Sequence, residues 1–183
     1  LSENHVDTAF GVVSVHNIPM LDAIARRNRI KFVPARGEMG AGHMADGYSR
    51  SKNGLGVVFT STGPGAANIT GALVEARFAG ASLLHITGQT ATENLDKKQG
   101  TVHEVPNQLD MLKSVSKKAF RIRNSEEALS ILEEATRCSL TPPTGPVSLE
   151  IPIDVQRSLI KKPDNIPNVK IDQKDLFLGD INS

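Results

Sequence analysis

Cysteine, tryptophan and long apolar runs are scarce or absent in this chain of 183 residues. The single cysteine, Cys138, excludes an internal disulfide framework. No apolar run approaches the roughly 20 residues that a membrane-spanning helix needs, and no cysteine–histidine cluster has the spacing of a zinc site. No leader of the secretory type is recognisable. We therefore expect a cytoplasmic protein, although an organelle matrix fits equally well.

An excess of charge of one sign is also missing. The chain has 21 Lys and Arg residues against 20 Asp and Glu residues, which gives a formal net charge of +1. Such a balance lacks the basic footprint of a protein that binds nucleic acid or an anionic membrane, so we expect neither as a partner. The length and the 39% hydrophobic content suit one α/β domain with its own core.

Short apolar segments alternate with helical patterns from residue 8 to about residue 152. Strands are predicted at residues 8–13, 30–34, 55–60, 82–87, 114–122 and 146–151. Helices are predicted at residues 18–27, 37–50 and 64–79, and after a capping box of Asn124 and Glu127. Residues 88–107 are predicted to form a long polar loop. The alternation indicates right-handed crossovers and a parallel sheet that is covered on both faces.

A lone carboxylate, Glu38, stands between an extended apolar segment and a helix rich in small residues. Junctions of this kind lie at the rim of an α/β sheet, where such folds bind ligands. Glycines at 37, 40 and 42 let a backbone or a ligand approach closely. This segment alone is equally compatible with an ordinary first-turn acid that the helix dipole favours.

A Gly/Pro turn, Thr60–Asn68 (TSTGPGAAN), follows a buried strand and opens the next helix. Its glycines bring the backbone close to a ligand, and the N–H groups of the helix start face that ligand. A phosphate-binding loop is disfavoured, because no Gly-Lys-Ser/Thr follows the glycines and Pro64 has no N–H. A dinucleotide fingerprint is disfavoured too, since Gly37, Gly40 and Gly42 do not give its spacing.

Four segments in order carry a family resemblance. They are Ala9-Phe10-Gly11, Glu38 with the helix that contains MADGYSR, the TSTGPGAAN turn, and Gly145-Pro146-Val147 with the LEIPIDV that follows. Over roughly residues 8–157 the chain resembles the N-terminal, pyrimidine-binding domain of thiamine-diphosphate-dependent enzymes related to acetolactate synthase. The resemblance implies an α/β, flavodoxin-like, doubly wound sheet of about six parallel strands with helices on both faces.

The same resemblance implies a domain division and shared cofactors. Residues 1–157 would be the pyrimidine-binding domain, without the family's first helix, and residues 158–183 an exit linker towards a middle domain. Thiamine diphosphate would lie between this domain and the diphosphate-binding domain of a second subunit in a homodimer or homotetramer. Mg²⁺ would belong to that other domain, because the family's Gly-Asp-Gly metal motif does not occur here, so no metal site is expected in this chain. Some relatives hold FAD in the middle domain.

The family's essential glutamate falls on Glu38. In the family this carboxylate bonds to the pyrimidine ring and promotes the imino form, which removes the proton from thiazolium C2. Further cofactor contacts are implied at Val12, Val13, Thr62, Gly63, Pro64 and Asn68.

Three histidines receive different predictions. His103, in Val102-His103-Glu104, falls where acetolactate synthases carry the glutamine of Phe-Gln-Glu, and decarboxylating relatives use histidines in this region for proton transfer. His103 is therefore a second catalytic candidate, with a solvated loop histidine as the alternative. His16 is either a polar ligand contact or a residue of the surface or helix entry. His85 lies within a strand and is expected to be a core histidine.

The resemblance implies that this chain is part of a transferase or lyase. Such an enzyme makes or breaks a carbon–carbon bond next to the carbonyl of a 2-oxo acid such as pyruvate. The nearest resemblance is to acetolactate synthase, and this chain alone is expected to be inactive. A thiamine-diphosphate-dependent 2-oxo acid decarboxylase is the first alternative. A non-catalytic thiamine-binding or partner-binding module is the second, against which the presence of Glu38 argues.

Overall fold

The computed structural model describes residues 1–161 and 163–169. Six strands form one parallel sheet in the order β2-β1-β3-β4-β6-β5. The strands are β1 (Thr8–Gly11), β2 (Lys31–Pro34), β3 (Gly56–Thr60), β4 (Leu83–Gln89), β5 (Lys118–Arg121) and β6 (Pro146–Pro152). The predicted doubly wound α/β sheet is confirmed.

Helices cover both faces of this sheet. They are α1 (Ile18–Arg27), α2 (Glu38–Lys52), α3 (Pro64–Asn68), α4 (Thr70–Phe78), α5 (Gln108–Val115), α6 (Ala128–Leu140) and α7 (Ile153–Arg157), with 3-10 turns at Ser2–Asn4 and Thr92–Asn94. The helices in the described part of the chain are too short or too polar to cross a membrane.

The two faces of the sheet build two separate cores, because neighbouring residues of a strand point to opposite sides. Val58 and Leu83 pack with the small residues of α2 and α4 on one face. Val57 and Leu84 pack with α1 and α6 on the other. The central strands β3 and β4 lie between these two cores, so every one of their residues is buried rather than every second one.

Close approach of α2 and α4 depends on small side chains. A Cβ at Gly42 would lie 2.6 Å from the Cβ of Ala72, whereas a Cβ at Gly47 in the same helix would meet nothing within 4 Å. Ile69, Leu73 and Ala76 are fully buried on the facing side, as their helical spacing predicts. The small-residue pattern of α2 is therefore a packing requirement on one side of that helix.

Three predicted elements have other bounds in the structure. The helix predicted at 64–79 is divided at Ile69, where the Thr70 hydroxyl donates to the Ala67 carbonyl and competes with the helical hydrogen bonds. The polar loop predicted at 88–107 starts later, because β4 continues to Gln89. Residues 114–122 hold the end of α5 and then β5, not one strand, and the short helix α7 follows Pro152.

The predicted capping box of α6 is confirmed. The Asn124 side-chain oxygen accepts from the backbone N–H groups of Glu126 and Glu127, each at 3.1 Å. In return the Glu127 carboxylate accepts from the Asn124 N–H at 3.2 Å. The helix then runs from Ala128, so local chemistry alone fixes its start.

Part of the predicted linker returns to the start of the chain. The Asn4 side chain donates to the Pro167 carbonyl at 3.1 Å and accepts from the Val169 N–H at 2.6 Å. Val169 is buried. Residue 162 and residues 170–183 lie outside the described residues, and the domain boundary at 157 stays a prediction.

Candidate functional site

The predicted site residues gather at the carboxyl ends of β1, β2 and β3. The chain passes from β1 to β2 on one side, while β3 pairs with the other side of β1. This reversal of direction creates the crevice at which open α/β sheets bind ligands. Three segments reach it: residues 12–17 after β1, Glu38 after β2, and the Gly/Pro turn after β3.

Glu38 is the first residue of α2 and is half-buried. Its Oε2 accepts from Asn68 Nδ2 at 3.3 Å. A Cβ at Gly65 would lie 2.8 Å from Glu38 Oε1, so only glycine leaves the carboxylate in this position. Two residues that were predicted separately, Glu38 and Asn68, are thus in contact, beside a backbone free of side chains.

Gly63 holds the turn against the loop that carries His103. Its φ of 58° lies in the left-handed region, and a Cβ there would lie 1.9 Å from the His103 carbonyl oxygen. Both the backbone conformation and the close approach therefore require glycine. The next residue, Pro64, is exposed.

A buried amide holds the same turn from below. Gln108 Oε1 accepts from the Gly63 N–H at 2.5 Å and from the Thr62 hydroxyl at 3.0 Å. The Thr62 hydroxyl also faces Gln89 Oε1 at 3.3 Å. Because these bonds engage its hydroxyl, Thr62 fixes the shape of the turn from within the protein.

Gln108 connects the turn to a buried ion pair that the sequence analysis missed. Its Nε2 donates to Glu150 Oε1 at 2.8 Å, and Arg121 Nε donates to Glu150 Oε2 at 2.6 Å. Burial raises the pKa of the fully buried Glu150 carboxyl, and the Arg121 guanidinium opposes that shift. Arg121 also contacts Asp96 at 2.7 Å, near the surface. An acid within the apolar strand PVSLEIP was the available signal for this network.

The segment after β1 is fixed by a buried asparagine. Asn17 Nδ2 donates to the carbonyls of Val12 at 2.9 Å and Thr60 at 3.1 Å, while its Oδ1 accepts from the Ser14 N–H at 2.8 Å. The backbone of Val12 is therefore held at the crevice. The side chain of Val12 is half-buried and that of Val13 is 58% exposed, an unusual apolar surface beside a polar site.

His16 and His103 form an imidazole pair at the crevice, with ring centroids 5.4 Å apart. The surface position that was one of the predictions for His16 is wrong, because only 9% of the residue is exposed. The pKa of His16 is lowered by burial and by the charge of His103. His103 itself is exposed and has a left-handed φ of 63°.

His85 is a core histidine, as predicted. It is fully buried in β4, with Nε2 hydrogen-bonded to the Thr60 hydroxyl at 2.9 Å and Nδ1 to the Ser148 hydroxyl at 3.0 Å. Burial lowers the pKa of this imidazole to about 3. The ring is therefore neutral and structural.

The donor set at the crevice suits a flat nitrogen heterocycle. Glu38 offers a carboxylate and Asn68 offers an amide. The glycines at 63 and 65 let the turn lie closely against His103 and Glu38. A pyrimidine that carries an amino group has both an acceptor nitrogen and N–H donors to match. Among residues 1–161 and 163–169, no three His, Cys, Asp or Glu side chains are placed to hold a metal ion.

Comparisons with known proteins identify the family of this chain. Residues 1–111 match the family "Thiamine pyrophosphate enzyme, N-terminal TPP binding domain". The mitochondrial acetolactate synthase catalytic subunit of Saccharomyces cerevisiae is 31% identical over 163 residues, which are 89% of this chain and 23% of that protein. "Probable 2-ketoarginine decarboxylase AruI" of Pseudomonas aeruginosa is 32% identical, over 85% of this chain and 28% of that protein. The glyoxylate carboligase of Escherichia coli O157:H7 is 31% identical, over 85% of this chain and 26% of that protein.

The chain thus spans about a quarter of the length of the curated relatives that it matches. The family match covers β1 to β4, and with them Glu38 and the Gly/Pro turn. The chain belongs to the thiamine pyrophosphate enzymes, as their N-terminal TPP binding domain.

Proposed function

We propose that this chain supplies the pyrimidine half of a thiamine diphosphate site in an enzyme that makes or breaks a carbon–carbon bond next to the carbonyl of a 2-oxo acid. One observation carries the proposal. The Glu38 carboxylate stands at the head of α2, bonded to Asn68 and beside the glycine turn.

When bound, thiamine diphosphate supplies a thiazolium carbon that adds to the substrate carbonyl once it has lost its proton. The part of this chain is to hold and move protons at the pyrimidine. Glu38 hydrogen-bonds a ring nitrogen and exchanges a proton there, while Asn68 Nδ2 keeps the carboxylate in place. Gly63, Pro64 and Gly65 form the floor, and Thr62 holds that floor through Gln108.

The rest of the active site belongs, in this proposal, to other domains. The crevice is open, and Val13, Met39 and Val102 beside it are 58%, 53% and 70% exposed. We infer that the diphosphate-binding domain of a second subunit covers these side chains in a homodimer or homotetramer. That domain would hold Mg²⁺, and a middle domain would hold FAD if it is used. This chain alone would then be inactive, and a cytoplasmic location stays a prediction.

The reaction class has two candidates. An acetolactate synthase-like carboligation is our first proposal, on the strength of the synthases and the carboligase among the relatives. The imidazole pair of His16 and His103 favours the second, decarboxylation with release of an aldehyde, because that outcome needs a proton donor near the substrate. One relative bears the name of a decarboxylase and is equally similar.

Replacing Glu38 by glutamine tests the central assignment. The change keeps size and hydrogen bonding but removes the exchangeable proton, so exchange of the cofactor's C2 proton for deuterium should slow by about 10²–10⁴-fold. The measurement is NMR after an acid quench, on the chain assembled with a diphosphate-binding domain, whether on the same polypeptide or supplied separately. Glu126→Gln, at an exposed residue just before α6, is the matched control and should exchange like the wild type. Wild-type exchange in Glu38→Gln would instead indicate a non-catalytic binding module.

A further inference from the structure

The His16 ring has two different nitrogens. Nδ1 is buried and has no hydrogen-bond partner within the described residues. Nε2 is not one of the buried atoms without a partner, and 9% of the residue's surface is exposed. A buried polar atom without a partner is costly and rare, so this ring calls for a physical explanation.

The backbone of His16 is held by three contacts. The His16 carbonyl accepts from Gln156 Nε2 at 2.7 Å, and the His16 N–H donates to the Ser14 hydroxyl at 3.2 Å. Gly88 lies directly against the same carbonyl, because a Cβ there would be 2.3 Å from the oxygen. Strand β4 and helix α7 thus hold His16 at the crevice from behind.

This environment selects one protonation state. A charged imidazole carries N–H groups on both nitrogens, and the one on Nδ1 would be buried without an acceptor. The neutral form with its proton on Nδ1 has the same defect. The neutral form with its proton on Nε2 leaves only a lone pair buried, which avoids a buried donor without an acceptor.

The lowered pKa of His16 agrees with that selection. Burial is the larger cause, and the charge of His103 is the second. Within the described residues, His103 is the titratable group that acts on His16, while Ser14 and Gln156, which face it from the loop and α7, are neutral.

We propose that His16 is a fixed, neutral hydrogen-bond donor whose Nε2–H binds an oxygen of the 2-oxo acid substrate. The assignment rests on the proposed function for the identity of the ligand. His103 is exposed, and its ring centroid lies 5.4 Å from that of His16.

The first test needs only this chain. Long-range ¹H–¹⁵N correlation spectra report which nitrogen of each histidine carries the proton at each pH. We expect His16 to be protonated on Nε2 alone at neutral pH and to titrate at a lower pH than in the urea-unfolded chain. His103→Gln should move the His16 midpoint upwards, because it removes a repelling charge. A proton on Nδ1, a midpoint at the unfolded value, or no response to His103→Gln would each overturn the assignment.

The second test separates the donor from the fold and from Glu38. In the chain assembled with a diphosphate-binding domain and given pyruvate, His16→Leu should lower kcat/KM by about 10²–10³-fold, the range for loss of one oxyanion donor. Exchange of the cofactor's C2 proton should persist in that variant, since Glu38 is intact. His16→Gln places an amide N–H near the position of Nε2 and should recover most of the loss.

The outcomes of this second test are distinct. A loss below about threefold in His16→Leu, or no recovery in His16→Gln, would refute the donor role while leaving the Glu38 assignment standing. Loss of C2 exchange in Glu38→Gln, with normal kcat/KM in His16→Leu, would also refute the donor role and leave the Glu38 assignment standing. Normal exchange in Glu38→Gln would refute the proposed function without altering the protonation of His16 in this chain.

Discussion

Arg121→Met should destabilise this protein strongly. Methionine preserves much of the length and apolar volume of the arginine but has no charge and no strong donor. The substitution removes the 2.6 Å bond from Arg121 Nε to Glu150 Oε2. It leaves Glu150, whose side chain is 0% exposed, with the amides of Gln108 and Gln89 as its side-chain partners among the described residues.

The structure sets the size of the effect. Arg121 has only 4% of its side chain exposed, so water cannot replace the lost partner of Glu150. Removing one member of a buried pair costs about 3–5 kcal/mol, against a total stability of about 5–15 kcal/mol for a typical domain. The double variant Arg121→Met with Glu150→Gln leaves no buried charge, so we expect it to be more stable than Arg121→Met alone.

The pH dependence has a definite sign. Without the guanidinium, burial acts unopposed and should raise the pKa of Glu150 beyond its already raised value. A carboxyl whose pKa is raised in the folded state binds its proton more tightly there than in the unfolded chain. Its unfavourable contribution therefore grows as pH rises through that folded pKa, and it is relieved on acidification. The stability gap between Arg121→Met and the wild type should narrow as pH falls from about 8 to about 5.

Urea unfolding followed by far-UV circular dichroism measures the difference in unfolding free energy between Arg121→Met and the wild type. Circular dichroism is used because the chain has no tryptophan for fluorescence. The slope of free energy against urea should be unchanged if the variant unfolds in two states. A loss below about 1 kcal/mol at neutral pH would show that the pair is not the buried contact described here. A gap that widens on acidification would refute the electrostatic reasoning directly.

Three further predictions concern other parts of the fold. Because burial lowers the pKa of His85 to about 3, the unfolded chain binds a proton that the folded chain excludes. The urea concentration at half unfolding should therefore fall as pH drops from about 6.5 towards 3, and this fall should be smaller in His85→Gln. Gly63→Ala should cost more than about 1 kcal/mol of unfolding free energy, since its Cβ would lie 1.9 Å from the His103 carbonyl at a positive φ; a smaller loss would contradict the turn geometry. Gly42→Ala should lower the unfolding free energy by about 1–3 kcal/mol, because its Cβ would push α2 away from Ala72. Its control, Gly47→Ala, should raise the unfolding free energy by about 0.5–1 kcal/mol. Equal thermal midpoints for these two variants would refute the packing account.

Features set by nearby residues could be predicted from the sequence. Helix α1 has the predicted bounds, because Asn17 and Pro19 open an amphipathic segment that Asn28 closes in a left-handed conformation. The start of α6 follows from the reciprocal bonds of Asn124 and Glu127. The position of Glu38 at a strand-to-helix junction could also be predicted, because it depends on neighbouring residues.

Features set by distant residues could not be predicted from the sequence. Helix α5 has only eight residues, and its N-terminal residue, Gln108, faces the Gly/Pro turn from 45 residues further along the chain. The burial of His16 depends on Gln156, which is 140 residues away. Sequence patterns identify which residues are polar, but three-dimensional contacts decide which of them are enclosed.

The position of β6 has a consequence for how this chain folds. β1, β2, β3 and β4 can pair in the order in which they are made, but β5 pairs only with β6, which lies between it and β4. No two described strands form a hairpin; even the pair closest in sequence joins Thr8 to Lys31. Such non-local pairing is slow. During synthesis β5 therefore has no partner strand, and β4 keeps one edge unpaired, until the last strand inserts and completes the sheet. The polar column from Gln108 through Glu150 to Arg121 forms in that same final step, so the Gly/Pro turn acquires its support only when folding is complete.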